Sequence, residues 1–239
     1  MPDLAATGVM LQAIPFFQGL TQSELTTLAP QFQIENFRRG ELLAGRGLQR
    51  AAHYQNRVWL VCQGIVAAYT VTKQNTRKIL YFLGPGKILN HNIFDTKPNT
   101  IYAEVMTDAL LLSIPRTVFA KLVTASPTLT AALFTHYETD LWRMSHQLKN
   151  TAGYLSVERK LAIKLLKLSQ EFGVPCEDGL VISFPLTITQ TAEFVGLPRE
   201  TASRACKKLT LAGLIRYENR RFTLLDRQRL VNYYRDGAF

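Results

Sequence analysis

Hydrophobic and polar positions follow a strand-like pattern through the first half of the chain. Between Phe37 and Pro115, short apolar runs alternate with glycines that suit tight turns. The runs cover residues 58–62, 65–69 and 79–83, and the glycines are Gly40, Gly45, Gly47, Gly64, Gly84 and Gly86. Because short apolar runs bounded by turn residues are typical of buried strands, this region is predicted to form a compact antiparallel β-roll or barrel.

The pattern becomes helical from about residue 126. Apolar side chains then recur at spacings of three and four, which is typical of one face of an α-helix. They are Leu133, Tyr137, Leu141, Met144 and Leu148. A long helix with such a face needs a partner surface, either in its own chain or in a second copy, and we favour pairing in a homodimer. Residues 150–153 interrupt the pattern and predict a hinge, followed by a second helix over residues 156–172.

Residues 187–204 have the spacing of a helix-turn-helix. Thr187 and Gln190 form the sequence of a capping box, which starts a helix. Gly196 suits the left-handed conformation that ends this helix, and Pro198 suits the first turn of the next one. Residues 213–217 and 221–224 then have the pattern of two short strands. Together these features predict a winged helix-turn-helix.

The second helix of this motif carries side chains suited to reading DNA bases. Arginine can donate two hydrogen bonds to guanine, glutamate can accept one from cytosine, and serine can serve either kind of base. We expect base contacts from Arg199, Glu200, Ser203 and Arg204. We expect phosphate contacts from Thr187, Thr189, Lys207, Lys208 and Arg220. The alternative is an ordinary solvated amphipathic helix.

Composition and charge favour a nucleic-acid partner. The 239 residues include 28 Lys and Arg against 18 Asp and Glu, a net charge of +10. Residues 199–221 hold seven basic and two acidic side chains, so half of the net charge lies there. We therefore expect double-stranded DNA as the partner. The chain contains neither an apolar run of about 18 residues nor a signal-like amino terminus, so we expect a cytoplasmic protein without membrane contact.

Cysteine and histidine spacing argues against metal binding and catalysis. The three cysteines are far apart, and the four histidines lack the spacing of metal ligands. Residues 84–87 resemble a phosphate loop but lack its glycine spacing and its Ser or Thr after the lysine. We expect no disulfide, no metal site, no iron–sulfur cluster and no enzymatic activity.

The order of these parts resembles the Crp/Fnr family of transcription regulators. The strongest motif is the stretch from Arg199 to Arg204. Arg199, Glu200 and Arg204 match the pattern of the catabolite regulators, whereas Glu200, Ser203 and Arg204 match that of the oxygen regulators. The resemblance implies a palindromic DNA site with half-sites close to TGTGA or TTGA, read by two helices about one DNA turn apart. Contact with RNA polymerase is also implied.

The resemblance implies an α+β fold of three parts. Residues 1–125 are expected to form a β-roll sensor domain like the cyclic-nucleotide-binding domains. Residues 126–152 would form the dimerisation helix and hinge, and residues 153–239 the winged helix-turn-helix domain. An effector bound by the sensor would favour one of two dimer states, and the hinge would transmit this to the DNA-binding domains.

The sensor segment departs from the cyclic-nucleotide members of the family. Asn90 and His91 stand where those members have a Gly-Glu pair, and Thr100 and Ile101 stand where they have an arginine followed by a small residue. Without this carboxylate and guanidinium, cyclic AMP would lack its charge-assisted contacts. Cyclic AMP is therefore not the expected effector.

Two effector classes remain open. Residues 78–81 and 99–103 resemble the halorespiration regulators, which bind halogenated phenols, and this implies Tyr81, Lys97 and Tyr102 as effector contacts. The alternative is haem, because His91 and Pro2 lie close to the ligand positions of the carbon-monoxide-sensing members. Both tyrosines could also simply pack within the roll. A regulator without an effector, or an architectural DNA binder, is a further alternative.

Overall fold

The computed structural model describes residues 4–44, 51–72, 75–90, 92–94, 101–152 and 155–237. The chain divides into two compact units. The first comprises Met1–Val71 and Leu80–Ser145, and the second comprises Thr72–Ile79 and His146–Phe239. Both units combine helices with antiparallel strands, which confirms the predicted α+β class.

The regular elements are numbered here in chain order. The helices in the described part of the chain are α1 (Leu4–Ala13), α2 (Gln22–Leu28), α3 (Ala51–Gln55), α4 (Arg116–Ala125), α5 (Pro127–Ala152), α6 (Val157–Phe172), α7 (Ile188–Val195), α8 (Arg199–Leu211) and α9 (Arg227–Asp236). The strands there are β1 (Gln33–Phe37), β2 (Leu42–Ala44), β3 (Arg57–Gln63), β4 (Val66–Val71), β5 (Arg77–Leu83), β6 (Tyr102–Val105), β7 (Ala109–Pro115), β8 (Gly173–Cys176), β9 (Gly179–Ile182), β10 (Ile215–Glu218) and β11 (Arg221–Leu224).

Two antiparallel sheets form the predicted β-roll of the first unit. One has the strand order β1–β7–β3 and the other β2–β6–β4–β5. Strand β3 is a continuous apolar run because it is buried on both faces. Val58 and Leu60 pack with α1, α2, α4 and the start of α5, whereas Trp59 and Val61 pack between the sheets. Since alternate side chains of a strand point to opposite faces, a strand buried on both faces has no polar alternation.

The second unit contains a four-stranded antiparallel sheet with the strand order β10–β11–β9–β8. Strands β10 and β11 form the predicted wing, with Glu218 opposite Arg221 across a two-residue turn. The turn residues Asn219 and Arg220 have φ angles of 50° and 61°. Positive φ at both positions is the requirement of a type I′ hairpin turn.

Helix α6 provides the apolar platform of the second unit. Its buried side chains include Leu161, Leu165 and Leu168, and it contacts helices α7, α8 and α9. Among the described residues, no single helix has the length and apolar character needed to cross a membrane. Two consecutive helical segments, Arg116–Ala125 and Pro127–His146, have this length and apolar character only when they are taken together, and the chain bends by 113° between them.

Candidate functional site

Helices α7 and α8 form the predicted helix-turn-helix, and the capping box is present as expected. The Thr187 hydroxyl accepts a hydrogen bond from the Gln190 N–H at 3.1 Å, and the Thr187 N–H donates to Gln190 Oε1 at 3.0 Å. Gly196 ends α7 with a φ of +85°. Pro198 differs from the prediction, because its ψ of 144° is extended and places it at the N-cap instead of in the first turn of α8.

Helix α8 has one buried and one exposed face. The buried side chains are Ala202, Ala205, Cys206 and Leu209. The four side chains predicted to read bases, Arg199, Glu200, Ser203 and Arg204, are all exposed. Because residues three and four positions apart share a face of a helix, the structure brings these four side chains together on the side away from the core.

Within the described part of the chain, the acidic member of this group makes a weak ion pair. Glu200 Oε1 lies 3.8 Å from Arg199 Nη1, and the two side chains are 73% and 66% exposed. Ion pairs this exposed contribute little free energy. Both groups can therefore exchange this contact for one with a base edge.

The residues predicted to contact phosphate occupy different environments. Lys207 and Thr189 are exposed. Lys208, in contrast, lies with Nζ 2.7 Å from Glu158 Oε1, which ties α8 to the start of α6. This hydrogen bond raises the pKa of Lys208 and lowers that of Glu158. Thr187 has its hydroxyl engaged in the capping box.

The wing is tied to the segment that leads into α7. The Tyr217 hydroxyl donates to the carbonyl of Leu186 at 3.1 Å, and the Leu186 N–H donates to the carbonyl of Arg220 at 2.6 Å. Since Leu186 directly precedes Thr187, the turn that carries Arg220 lies beside the start of α7. Arg220 and Thr189 are both exposed.

The two described residues predicted to bind an effector, Tyr81 and Tyr102, both pack against the core between the sheets but have different neighbours. Burial raises the pKa of Tyr81, Asp140 raises it further, and Arg143 lowers it, so this tyrosine lies near α5. The ring of Tyr102 instead contacts that of Tyr69, with 5.6 Å between centroids. His91, Lys97, Thr100 and Pro2 lie outside the described residues.

Asn90, which replaces part of the Gly-Glu pair, has a structural role. It is 2% exposed, its Oδ1 accepts a hydrogen bond from the Trp59 N–H at 3.0 Å, and its Nδ2 donates to the carbonyl of Arg57. Trp59 also stacks on Tyr54, with 6.1 Å between ring centroids. The Asn90 side chain therefore holds the backbone of β3 at Arg57 and Trp59. In the cyclic-nucleotide members, the Gly-Glu pair is expected at this position of the chain.

A polar pair on α5 was not predicted from the sequence. His136 Nε2 lies 3.3 Å from Asp140 Oδ2, and the two side chains are only 14% and 12% exposed. The spacing of four residues, which places both side chains on one helix face, was the available signal. The pair lies on the helix that also carries Arg143, whose charge acts on Tyr81.

The side chains predicted to form the dimer helix divide into two groups. Leu133 is buried in the core of the first unit, and Tyr137 packs against that core. Leu141 and Met144 are 63% and 50% exposed, and Phe134 and Trp142 are exposed as well. Leu148 lies in α5, but its side chain is outside the described part. Residues 150–152, predicted as a hinge, continue the helix, and Gly153 lies outside the described residues.

Two family models match the chain. A cyclic nucleotide-binding domain matches residues 34–126, and a Crp-like helix-turn-helix domain matches residues 159–233. The CRP-like cAMP-activated global transcriptional regulator of Mycobacterium tuberculosis is 26% identical over 216 residues, which cover 90% of this chain and 94% of the relative.

Solved structures share the fold at low sequence identity. FixK2 from Bradyrhizobium japonicum superimposes with a TM-score of 0.69 at 21% identity, over 84% of this chain and 96% of that one. A transcriptional regulator of the CRP/FNR family from Thermus thermophilus gives a TM-score of 0.70 at 22% identity, over 86% of this chain and 100% of that one. These likenesses establish the β-roll, long helix and helix-turn-helix as a known architecture.

Proposed function

We propose that this chain, which belongs to the Crp/Fnr family of transcription regulators, binds a palindromic DNA site as a homodimer. The chain has a cyclic nucleotide-binding domain and a Crp-like helix-turn-helix domain. The half-sites are close to TGTGA or TTGA. The observation that carries this proposal is the exposed face of α8, where two arginines, a glutamate and a serine occupy consecutive turns. Such a face can enter the major groove and contact base edges.

Base contacts and phosphate contacts have separate roles in this proposal. Arg199, Glu200, Ser203 and Arg204 read the bases. Thr187, Thr189, Lys207, Lys208 and Arg220 border this face and position the protein on the phosphates. Support for this division comes from the wing, whose turn lies beside the start of α7. Thr187 and Lys208 have partners within the protein, so we expect smaller contributions from them than from Lys207 and Arg220.

Dimerisation through α5 is supported by its exposed apolar side chains, which include Leu141 and Met144. We propose residues 1–125 as the sensor domain, residues 126–152 as the dimer helix and hinge, and residues 153–239 as the DNA-binding domain. The regulator acts in the cytoplasm, and its regulatory partner on DNA is RNA polymerase.

The effector in this proposal is a small organic molecule, with aromatic anions as the class to test first, and not cyclic AMP. The buried amide of Asn90 supports this, because it stands at one position of the Gly-Glu pair and makes structural hydrogen bonds there. An aromatic anion would contact Tyr81, Lys97 and Tyr102, whereas His91 would be a contact in the haem alternative. Binding favours one of two dimer states, and a difference of about 1–3 kcal/mol in effector affinity between these states is sufficient.

The proposal is tested by selecting binding sites from a randomised DNA pool at fixed salt. The full chain is used alone and with cyclic AMP, haem or halogenated phenols. We expect enrichment of a two-fold symmetric site of the TGTGA or TTGA type, with cyclic AMP giving no improvement over the free protein. Failure to enrich any palindrome under every condition would refute sequence-specific regulation. Improvement by cyclic AMP alone would refute the effector assignment and leave the DNA assignment intact.

A further inference from the structure

The last turn of α7 contains a carbonyl that the helix itself cannot satisfy. The carbonyl of Phe194 is one of the last four of α7, which have no N–H donor within the helix. Pro198, four residues later, has no N–H either. The N–H groups of Gly196 and Leu197 both donate to the carbonyl of Ala192, at 2.8 and 3.0 Å. The donor to the Phe194 carbonyl is therefore solvent or a side chain.

That donor is Lys78, which is distant in sequence. Its Nζ donates to the carbonyl of Phe194 at 2.7 Å. Lys78 lies in the segment Thr72–Ile79, which belongs to the second unit, although the rest of strand β5 belongs to the first. A cation at the carboxyl end of a helix also interacts favourably with the helix dipole. Burial lowers the pKa of Lys78 to about 8, in keeping with an amine withdrawn from water.

Gly196 leaves the space that this lysine occupies. A Cβ atom at residue 196 would lie 2.8 Å from Lys78 Nζ. The glycine therefore has two functions, because its positive φ ends α7 and its missing side chain admits the ammonium group.

A second contact holds the same turn. Arg77 Nε lies 3.1 Å from Glu193 Oε2, and the two side chains are only 24% and 21% exposed. Solvent screens such a pair less than a fully exposed one. Two consecutive residues of β5 thus bind two consecutive residues of α7.

Strand β5 also carries a residue of the proposed effector site. Tyr81 follows Lys78 by three positions and lies near the charged side chains of Asp140 and Arg143 on α5. We propose that Arg77 and Lys78 form a latch on the last turn of α7, and that β5 thereby couples the effector site to DNA binding by α8. Because α7 and α8 are joined by a tight turn, fixing α7 fixes the direction of the recognition helix. This inference rests on the proposed function for its DNA readout.

The test uses charge reversal in the full chain. The variants are Arg77→Glu, Glu193→Arg and the double variant, with Lys121→Glu on the exposed surface of α4 as the control for charge. Affinity is measured for the palindrome selected above, at fixed salt. We expect both single variants to change the Kd by about threefold to tenfold in the same direction, and the double variant to restore it. An increase in Kd would mean that the latched state is the one that binds DNA, and a decrease would mean that the unlatched state binds it.

A long-range charge effect gives a different result. Arg77→Glu adds negative charge and Glu193→Arg adds positive charge, so electrostatic steering alone would change the two affinities in opposite directions. Opposite changes, unchanged affinities, or additive effects without restoration in the double variant would each overturn the latch. Lys78→Met, which keeps the chain length and removes the donor, is expected to match the single variants.

A readout without DNA separates this inference from the proposed function. Hydrogen exchange of the α7 amides is expected to be faster in Arg77→Glu and Lys78→Met than in Lys121→Glu, and to be restored in the double variant. Equal exchange in all variants would exclude the latch even if the DNA site is confirmed. If the variants exchanged faster but the unchanged chain selected no palindrome, the contact between β5 and α7 would stand. Its role in sequence-specific DNA binding would be refuted.

Discussion

At the scale of single residues, the proposed DNA contacts of α8 divide into base-reading and phosphate-binding side chains. In the proposed DNA complex, Arg204 reads a base, whereas Lys207, three positions later on α8, contacts phosphate. We expect Arg204→Ala to cost about 1–3 kcal/mol on the selected site and to relax the preference at one base pair. Lys207→Ala is expected to weaken selected and random DNA equally and to reduce the slope of log K against log salt by about 1.

The matched pair makes this prediction specific, because each variant removes one positive charge from the same exposed face. Affinities for the selected site, for single-base variants of it and for random DNA, measured at several salt concentrations, distinguish the two effects. If Arg204→Ala kept the full preference at every base pair, the assignment of α8 as the reading helix would be wrong.

Lys164, on the platform helix α6, predicts a dependence of stability on pH. Its Nζ lies 4.4 Å from the centroid of the Phe194 ring. Burial, followed by repulsion from Lys78 and Lys167, lowers its pKa from 10.5 to about 7. Between these pH values the unfolded chain binds more protons than the folded one, so stability rises with pH. The cost of burying the charge is complete below about pH 7 and is lost as the pH rises towards 10.5.

Replacing Lys164 with methionine removes this cost while keeping the chain length. We expect Lys164→Met to raise the free energy of unfolding by about 1–2 kcal/mol at pH 6.5. The gain should shrink steadily towards pH 10. Urea unfolding at four pH values measures it, with the exposed Lys207→Met as the control. A gain that did not depend on pH would show that packing, and not the buried charge, determines the effect.

At the scale of elements, local chemistry made the helix-turn-helix predictable. The capping box of Thr187 and Gln190 and the left-handed Gly196 depend on residues a few positions apart, so the sequence contains the whole signal. The wing was predictable for the same reason. Strand β8 was not, because three of its four residues are exposed and one of them is Pro175, which suits only an edge strand. Helix α9 was not predicted, although Asp226 at its N-cap is a local signal for a helix start.

The other features that were not predicted from the sequence depend on contacts between distant segments of the chain. Lys78 and Phe194 are 116 positions apart, and no local pattern pairs a strand lysine with an orphan helix carbonyl. The division of the α5 apolar residues has the same origin. Spacing alone placed Leu133, Tyr137, Leu141 and Met144 on one face, but the core of the first unit covers only the beginning of that face. Which residues remain for a partner therefore depends on the tertiary structure.

At the scale of the whole molecule, α5 is the element that a second copy would cover. Phe134 and Leu141 are seven positions apart, Met144 follows three positions later, and all three are exposed. Spacings of seven and three are those of a coiled-coil seam. In a two-fold dimer the seam meets its own copy, so each apolar side chain is buried by equivalent residues of the partner.

Leu141→Glu tests this arrangement, because in a symmetric seam the two carboxylates would be buried near each other without compensating charge. Sedimentation equilibrium is expected to give the monomer mass of 27.0 kDa for this variant and twice that mass for the unchanged chain. Val9→Glu, at an equally exposed apolar position on α1, is the control and should remain dimeric. The monomeric variant should lose affinity for the palindrome and keep its affinity for random DNA per half-site, since two linked recognition helices gain from effective concentration. A Leu141→Glu protein that stayed dimeric would place the interface elsewhere and remove α5 as the link between the two copies.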